Sequence, residues 1–250
     1  VGGIGMGSEI WKSSQFVEQY LSGVRGAIPL AQAQIDIIIK LVEATSLEIK
    51  TFLDIGCGDG ILSAAILDKH PKARGVLLDF SKPMIEAARN KLKNFENQLV
   101  FVDYDYGKKD WLNHVKNIKS FTIIISGFSI HHQDNVRKQE LYAEIFEVLE
   151  PGGMFINLEH VLSQTKWLES IFENYFIDSQ LTFNQVHGNP KTREELAEQF
   201  FNRADQSENI LTSVEKQCEW LRKIGYQDVD CYFKVFELAI FGGRKSIKKI

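Results

Sequence analysis

The sequence predicts an α/β fold in which a mostly parallel sheet carries helices on both faces, and three features predict it. Short apolar runs alternate with helical periodicity from Thr51 to Glu159. Phe121 to Ser126 is apolar on both alternating faces, as expected of a central strand covered on each side. A glycine-rich turn, Asp54-Ile55-Gly56-Cys57-Gly58-Asp59-Gly60, joins the first strand of this series to a helix. Parallel neighbours then require right-handed crossovers.

From Ser8 to Glu43 apolar residues recur at helical spacing, and Gly23 with the stretch Gly26 to Pro29 splits the run into two helices. Residues 8–45 are therefore an N-terminal helical cap. Thr51 to Ile55 is a strand, Ile61 to Lys69 a helix, Ala73 to Asp79 a strand, and Pro83 to Phe95 a helix with proline in its first turn. Leu99 to Val102 and Phe121 to Ser126 follow as strands, then a helix over Lys138 to Leu149 ended by Pro151-Gly152-Gly153, then a fifth strand over Met154 to Glu159. Residues 162–213 break the rhythm and read as a helical lid inserted over the strand ends. Val214 to Ile224 is a last helix, stopped by Gly225. Val229 to Phe236 and Leu238 to Phe241 form a terminal hairpin, which brings the strand count to seven.

A chain of 250 residues suits one domain with an insertion. The formal net charge of -4 disfavours nucleic acid as a partner, although Lys245, Lys248 and Lys249 make a short basic tail. Cys57, Cys218 and Cys231 are too scattered for a disulfide framework or a zinc cluster, so a reducing, cytoplasmic setting and no metal are expected. Apolar runs are core-sized, which argues against a membrane span. Val1 to Gly7 lacks the features of a signal peptide, and Met6 reads as a candidate initiator.

Alternating glycines let a chain turn sharply and let a ligand touch the backbone. The spacing departs from the dinucleotide fingerprint, because Gly60 comes one residue early; a ligand without a pyrophosphate is expected. Asp79 closes the second strand about twenty residues later, where a carboxylate can accept both hydroxyls of a ribose. Asp105, within Asp103-Tyr104-Asp105-Tyr106, is placed to read an adenine edge. Cys57, a thiol between glycines, is a packing atom rather than a nucleophile.

The order of Asp54 to Gly60, Leu78-Asp79, Tyr104-Asp105, Ile124 to His132 and Pro151-Gly152-Gly153 resembles that of the class I S-adenosylmethionine (SAM)-dependent methyltransferases, over roughly residues 11 to 243. Ser129-Ile130-His131-His132 is similar to their small-molecule branch. The resemblance implies a Rossmann-like seven-stranded, mostly parallel sheet with an antiparallel last strand. It also implies SAM as cofactor, S-adenosylhomocysteine (SAH) as product, and a small-molecule methyl acceptor. Cofactor contacts are expected at Asp54, Gly56, Cys57, Gly58, Gly60, Asp79, Phe80, Met84, Tyr104, Asp105, Tyr106 and Ser126, with Tyr20 and Arg25 at the methionine end. His131 or His132 is the expected general base. Trp167, Phe172, Tyr175 and Phe176 are the expected acceptor contacts, with a monomer or homodimer both open. Two rivals stay open: an enzyme like carboxy-SAM synthase or another tRNA-modifying enzyme, and a non-catalytic SAM-binding module. A nicotinamide-dependent oxidoreductase ranks below both because of the glycine spacing.

Overall fold

The computed structural model describes residues 10–21, 25–45, 47–115, 118–189 and 191–247, with the side chain of Arg25 outside that description. After a short helix α1 (Ser14–Gln19) and α2 (Ala31–Ala44), the chain alternates β1 (Thr51–Ile55), α3 (Ile61–Lys69), β2 (Arg74–Asp79), α4 (Lys82–Lys91) and β3 (Leu99–Asp103). Then come β4 (Phe121–Gly127), α5 (Asn135–Val148), β5 (Leu149–His160), α6 (Lys166–Val186), α7 (Arg193–Phe201), α8 (Val214–Ile224), β6 (Gln227–Val235) and β7 (Leu238–Arg244). Polar caps set the helix starts: Ser81, Asp134, Thr165 and Ser213 each accept a backbone N–H of the first turn, and Gly225 ends α8 at φ 116°.

The seven strands form one sheet in the order β3-β2-β1-β4-β5-β7-β6. β3, β2, β1, β4 and β5 are parallel, while β7 runs antiparallel between β5 and β6. Inserting the hairpin this way gives β5 a partner on both edges. On one face α2, α3 and α4 bury Ile38, Val42, Ile66 and Ala88 against Phe52, Leu77 and Ile123. On the other, α5 and α8 bury Leu141, Tyr142 and Leu221 against Leu53, Ile124 and Phe155. Strand residues of opposite parity thus feed opposite cores, which is why the central strands carry no polar face.

The fifth strand differs from expectation in its start. Leu149 already pairs with Phe121, and the register slips between Phe121 and Ile123 before Met154 pairs with Ile123. Pro151-Gly152-Gly153 is thus an irregularity inside the strand rather than a turn before it. A Cβ on Gly153 would lie 2.8 Å from the Thr122 carbonyl oxygen, so only glycine permits this approach. Among the described residues, no helix is long and apolar enough to cross a membrane.

Because β3 lies two strands to one side of β1 and β4 on the other, the chain reverses its direction of winding between β1 and β4. In open α/β sheets the crevice at the carboxyl ends of such strands is where ligands bind.

Candidate active site

At that crevice the glycine turn folds back on β2. Gly56 and Cys57 donate to the Leu78 carbonyl oxygen at 2.7 and 3.1 Å. The Asp79 carboxylate accepts the Gly58 N–H at 2.9 Å through one oxygen and the Ser81 N–H at 2.8 Å through the other. Burial pushes Asp79 up to about 6, against the pull of those amides. The three glycines differ in what they face. A Cβ on Gly56 would fall 1.8 Å from Ser129 Oγ and one on Gly60 2.9 Å from Leu92, whereas one on Gly58 meets only Met84 Sδ at 3.9 Å. Gly56 and Gly60 serve packing; Gly58 borders open space.

The cleft is lined by Gly56, Cys57, Gly58, Asp79, Phe80 and Met84 and roofed by Trp11 and Tyr20. Ser81 Oγ donates to the Trp11 carbonyl oxygen, tying the roof to β2. Burial raises the Cys57 thiol well above its ordinary value, consistent with an inert packing group.

Other expected cofactor contacts stand elsewhere. Asp54 accepts a hydrogen bond from Ser63 at 2.6 Å, and Ser126 Oγ donates to the Ile55 carbonyl oxygen at 2.8 Å; both are buried links between elements. Tyr106 is buried and bonds Ser129 through its hydroxyl. Tyr104 stacks on His114 and donates to Asp110, while Asp105 accepts the Gly107 N–H. None of Asp54, Gly60, Tyr104, Asp105, Tyr106 and Ser126 lines the cleft. The Arg25 side chain, Gly23, Lys248 and Lys249 fall outside the described residues.

Beside the cleft lies a cavity of about 630 Å³. Trp11, Tyr20, Phe128 and His132 line both, so they form a common wall. Phe128 holds a left-handed conformation at φ 52°, a strained state for an aromatic residue, at the end of β4.

Three histidines face the cavity. His131 Nδ1 meets Glu159 Oε1 at 2.5 Å, and the Glu159 carboxylate also accepts the backbone N–H groups of His131 and His160. Burial drives this pair toward its neutral forms, raising Glu159 to about 7 and lowering His131 well below its ordinary value. His132, its ring centroid 4.0 Å from that of His131, is lowered to about 3, by burial first and by His131 second. Its Nδ1 has no hydrogen-bond partner among the described residues. His160 Nε2 pairs with Glu237 Oε2 at 2.7 Å.

The four aromatic residues expected at the acceptor divide in where they point. Phe172 and Phe176 face the cavity, with ring centroids 5.9 Å apart. Trp167 is 71% exposed on the first turn of α6, and Tyr175 packs on Phe236 instead. The reason is helical phase: residues four apart share a face, so Phe172 and Phe176 point inward together while Trp167 and Tyr175 do not.

The family model for a methyltransferase domain matches residues 52–153, the stretch that holds β1 to β4, the glycine turn, Asp79 and both adjacent histidines. Over residues 52–153 the chain is similar to methyltransferase domains. The demethylmenaquinone methyltransferase of Leptospira interrogans is 33% identical over 124 residues, 50% of this chain and 48% of that protein, so the chain matches about half the length of that relative. The carboxy-S-adenosyl-L-methionine synthase of Campylobacter lari is 23% identical across 87% of both chains. Human N-acetylserotonin methyltransferase in complex with SAM shares the fold, with TM-score 0.57, 16% identity, and coverage of 98% of this chain and 60% of that one.

The matched methyltransferase segment supplies most of the cleft, whereas α6 and α7, which wall the cavity, lie beyond it. Sequence reasoning missed Trp11, Ser81, Glu159, His160 and Glu237. Glu159 and His160 had a usable signal, since both end a parallel strand on the ligand-binding edge. Trp11 and Glu237 arrive from distant segments and had none.

Proposed function

We propose that the chain binds SAM in the cleft and transfers its methyl group to a small-molecule acceptor held in the adjoining cavity. The observation that carries this reading is the open space over Gly58, beside the buried Asp79 carboxylate and separated from the cavity only by a wall of residues that line both. Asp79 accepts the ribose hydroxyls, and the bare backbone of Gly58 lies against the nucleoside. Tyr20 faces the methionine end, where Arg25 is the expected carboxylate partner.

When bound, SAM supplies a methyl already activated by its sulfonium charge. The protein then contributes mainly position and a dry environment: Trp11, Tyr20 and Phe128 exclude water where cleft and cavity meet. His132, which lines both cleft and cavity, is the residue placed to take the acceptor's proton, and the His131–Glu159 pair packs beside its ring.

Calorimetric titration of the chain with SAH tests the cofactor site, and SAH accumulation from SAM across a panel of hydroxyl and amine acceptors tests the reaction. His132→Gln is expected to lower turnover about 10²-fold with SAH affinity nearly unchanged. An absence of binding heat, or purification with nicotinamide bound, refutes the reading. SAH binding without SAH formation across a broad panel favours a binding module.

A second reading has its own support, because relatives named carboxy-S-adenosyl-L-methionine synthase match across most of both chains. Mass spectrometry of the nucleoside left after incubation separates the two: SAH marks methyl transfer, a carboxylated SAM marks the synthase.

A further inference from the structure

The cavity changes character along its length. Phe172, Phe176, Gln180 and Asn184 follow one another at four-residue intervals on α6 and all face it. At ~1.5 Å per residue the stripe runs about 18 Å, from the ring of His160, 5.6 Å from that of Phe172, toward the segment after α6. Phe200 of α7 closes the aromatic part, its ring 5.5 Å from Phe176.

Gln180 is 7% exposed, and among the described residues its carboxamide makes no hydrogen bond. A buried amide with donor and acceptor both unspent is costly against an aliphatic occupant and is satisfied by a polar one. Past it, Lys191 donates to the neutral Gln199 at 3.0 Å and has no carboxylate partner among the described residues. The other cation facing the cavity, Arg203, stacks over Phe200 and is offset by Asp205 at 3.4 Å. Glu237, behind the wall, is engaged by His160. Among the described residues the cavity therefore has an aromatic inner part, an unsatisfied amide midway and one uncompensated positive charge toward its outer end.

From this gradient we infer that the methyl acceptor is an elongated aromatic acid. Its hydroxyl-bearing ring lies among Phe172, Phe176 and Phe200, a tail carbonyl accepts from the Gln180 carboxamide, and its carboxylate pairs with Lys191. This specifies the acceptor of the proposed methyltransferase reaction and rests on that reading.

The test uses the full chain saturated with SAH and calorimetric titration with para-hydroxyphenyl carboxylic acids carrying zero to six methylenes between ring and carboxylate, each beside its primary amide. Acids are expected to bind at least tenfold more tightly than amides once the tail is long enough to reach Lys191. Lys191→Met should reduce that preference to within about twofold without changing SAH affinity. A parallel series with one amide carbonyl midway along the tail should bind several-fold more tightly than the plain alkyl acids, and Gln180→Leu should remove that gain; no gain at any position overturns the assignment of Gln180. Acids no tighter than amides at every length, or a preference that survives Lys191→Met, overturns the inference while SAH binding leaves the cofactor reading standing. Failure of SAH itself to bind removes both.

Discussion

Gly56 and Gly58 look equivalent in the sequence and differ in space. Both have positive φ, at 64° and 53°, so an alanine at either carries a similar left-handed cost of about 1–2 kcal/mol. Only at Gly56 does the new methyl also collide with Ser129, whose hydroxyl is bonded to Tyr106. Gly56→Ala is thus expected to lower the melting temperature well below that of Gly58→Ala, while Gly58→Ala remains folded and loses at least tenfold in SAH affinity. Asp79 makes a second residue-level prediction. Its carboxyl ionises near pH 6, above the ordinary value, and the ribose hydroxyls need the ionised form. SAH affinity is therefore full at pH 7 to 8 and falls as pH drops through about 6, approaching tenfold per unit. Asp79→Asn weakens binding at pH 8 by roughly 1.5–3 kcal/mol and flattens that pH dependence. Titrations at several pH values separate these outcomes.

At the scale of elements, α7 matters because it brings Leu196, Gln199 and Phe200 to the cavity. Its start is fixed by a reciprocal cap: Thr192 Oγ1 accepts the Glu195 N–H at 3.1 Å and the Glu195 carboxylate accepts the Thr192 N–H at 2.8 Å. Thr192→Ala is expected to cost about 1 kcal/mol in urea denaturation, with acceptor affinity suffering more than SAH affinity. Most elements were legible in the sequence because their signals are local: polar residues before helices, glycine after α8, and apolar runs for strands. The start of β5 was not, since Pro151-Gly152-Gly153 has the composition of a turn. What holds it in the sheet is the approach of Gly153 to the Thr122 carbonyl, and a one-dimensional pattern cannot display such a contact.

For the whole molecule, the same division explains how much of the site could be read in advance. The cleft is built from consecutive strand ends, so Gly58 and Asp79 announce themselves by spacing from β1 and β2, and Phe80 and Met84 follow from the resemblance alone. The cavity gathers Trp11, His160, Gln180, Lys191 and Leu238 from five separate stretches. Their proximity is a product of the β7 insertion beside β5 and of the docking of α6 and α7. Residues such as Asp54 and Ser126 fit the motif and also bond the scaffold, because a polar group near a buried strand end must find a partner, whether a ligand or the next element.

Trp11, Tyr20, Phe128 and His132 belong to both compartments, so a molecule seated in one helps set their positions for the other. Thermodynamic reciprocity then binds the two occupants: whatever factor an acceptor applies to the dissociation constant of SAH, SAH applies to that of the acceptor. Equilibrium titrations run in both orders should return the same coupling free energy, and Trp11→Ala should shrink it toward zero.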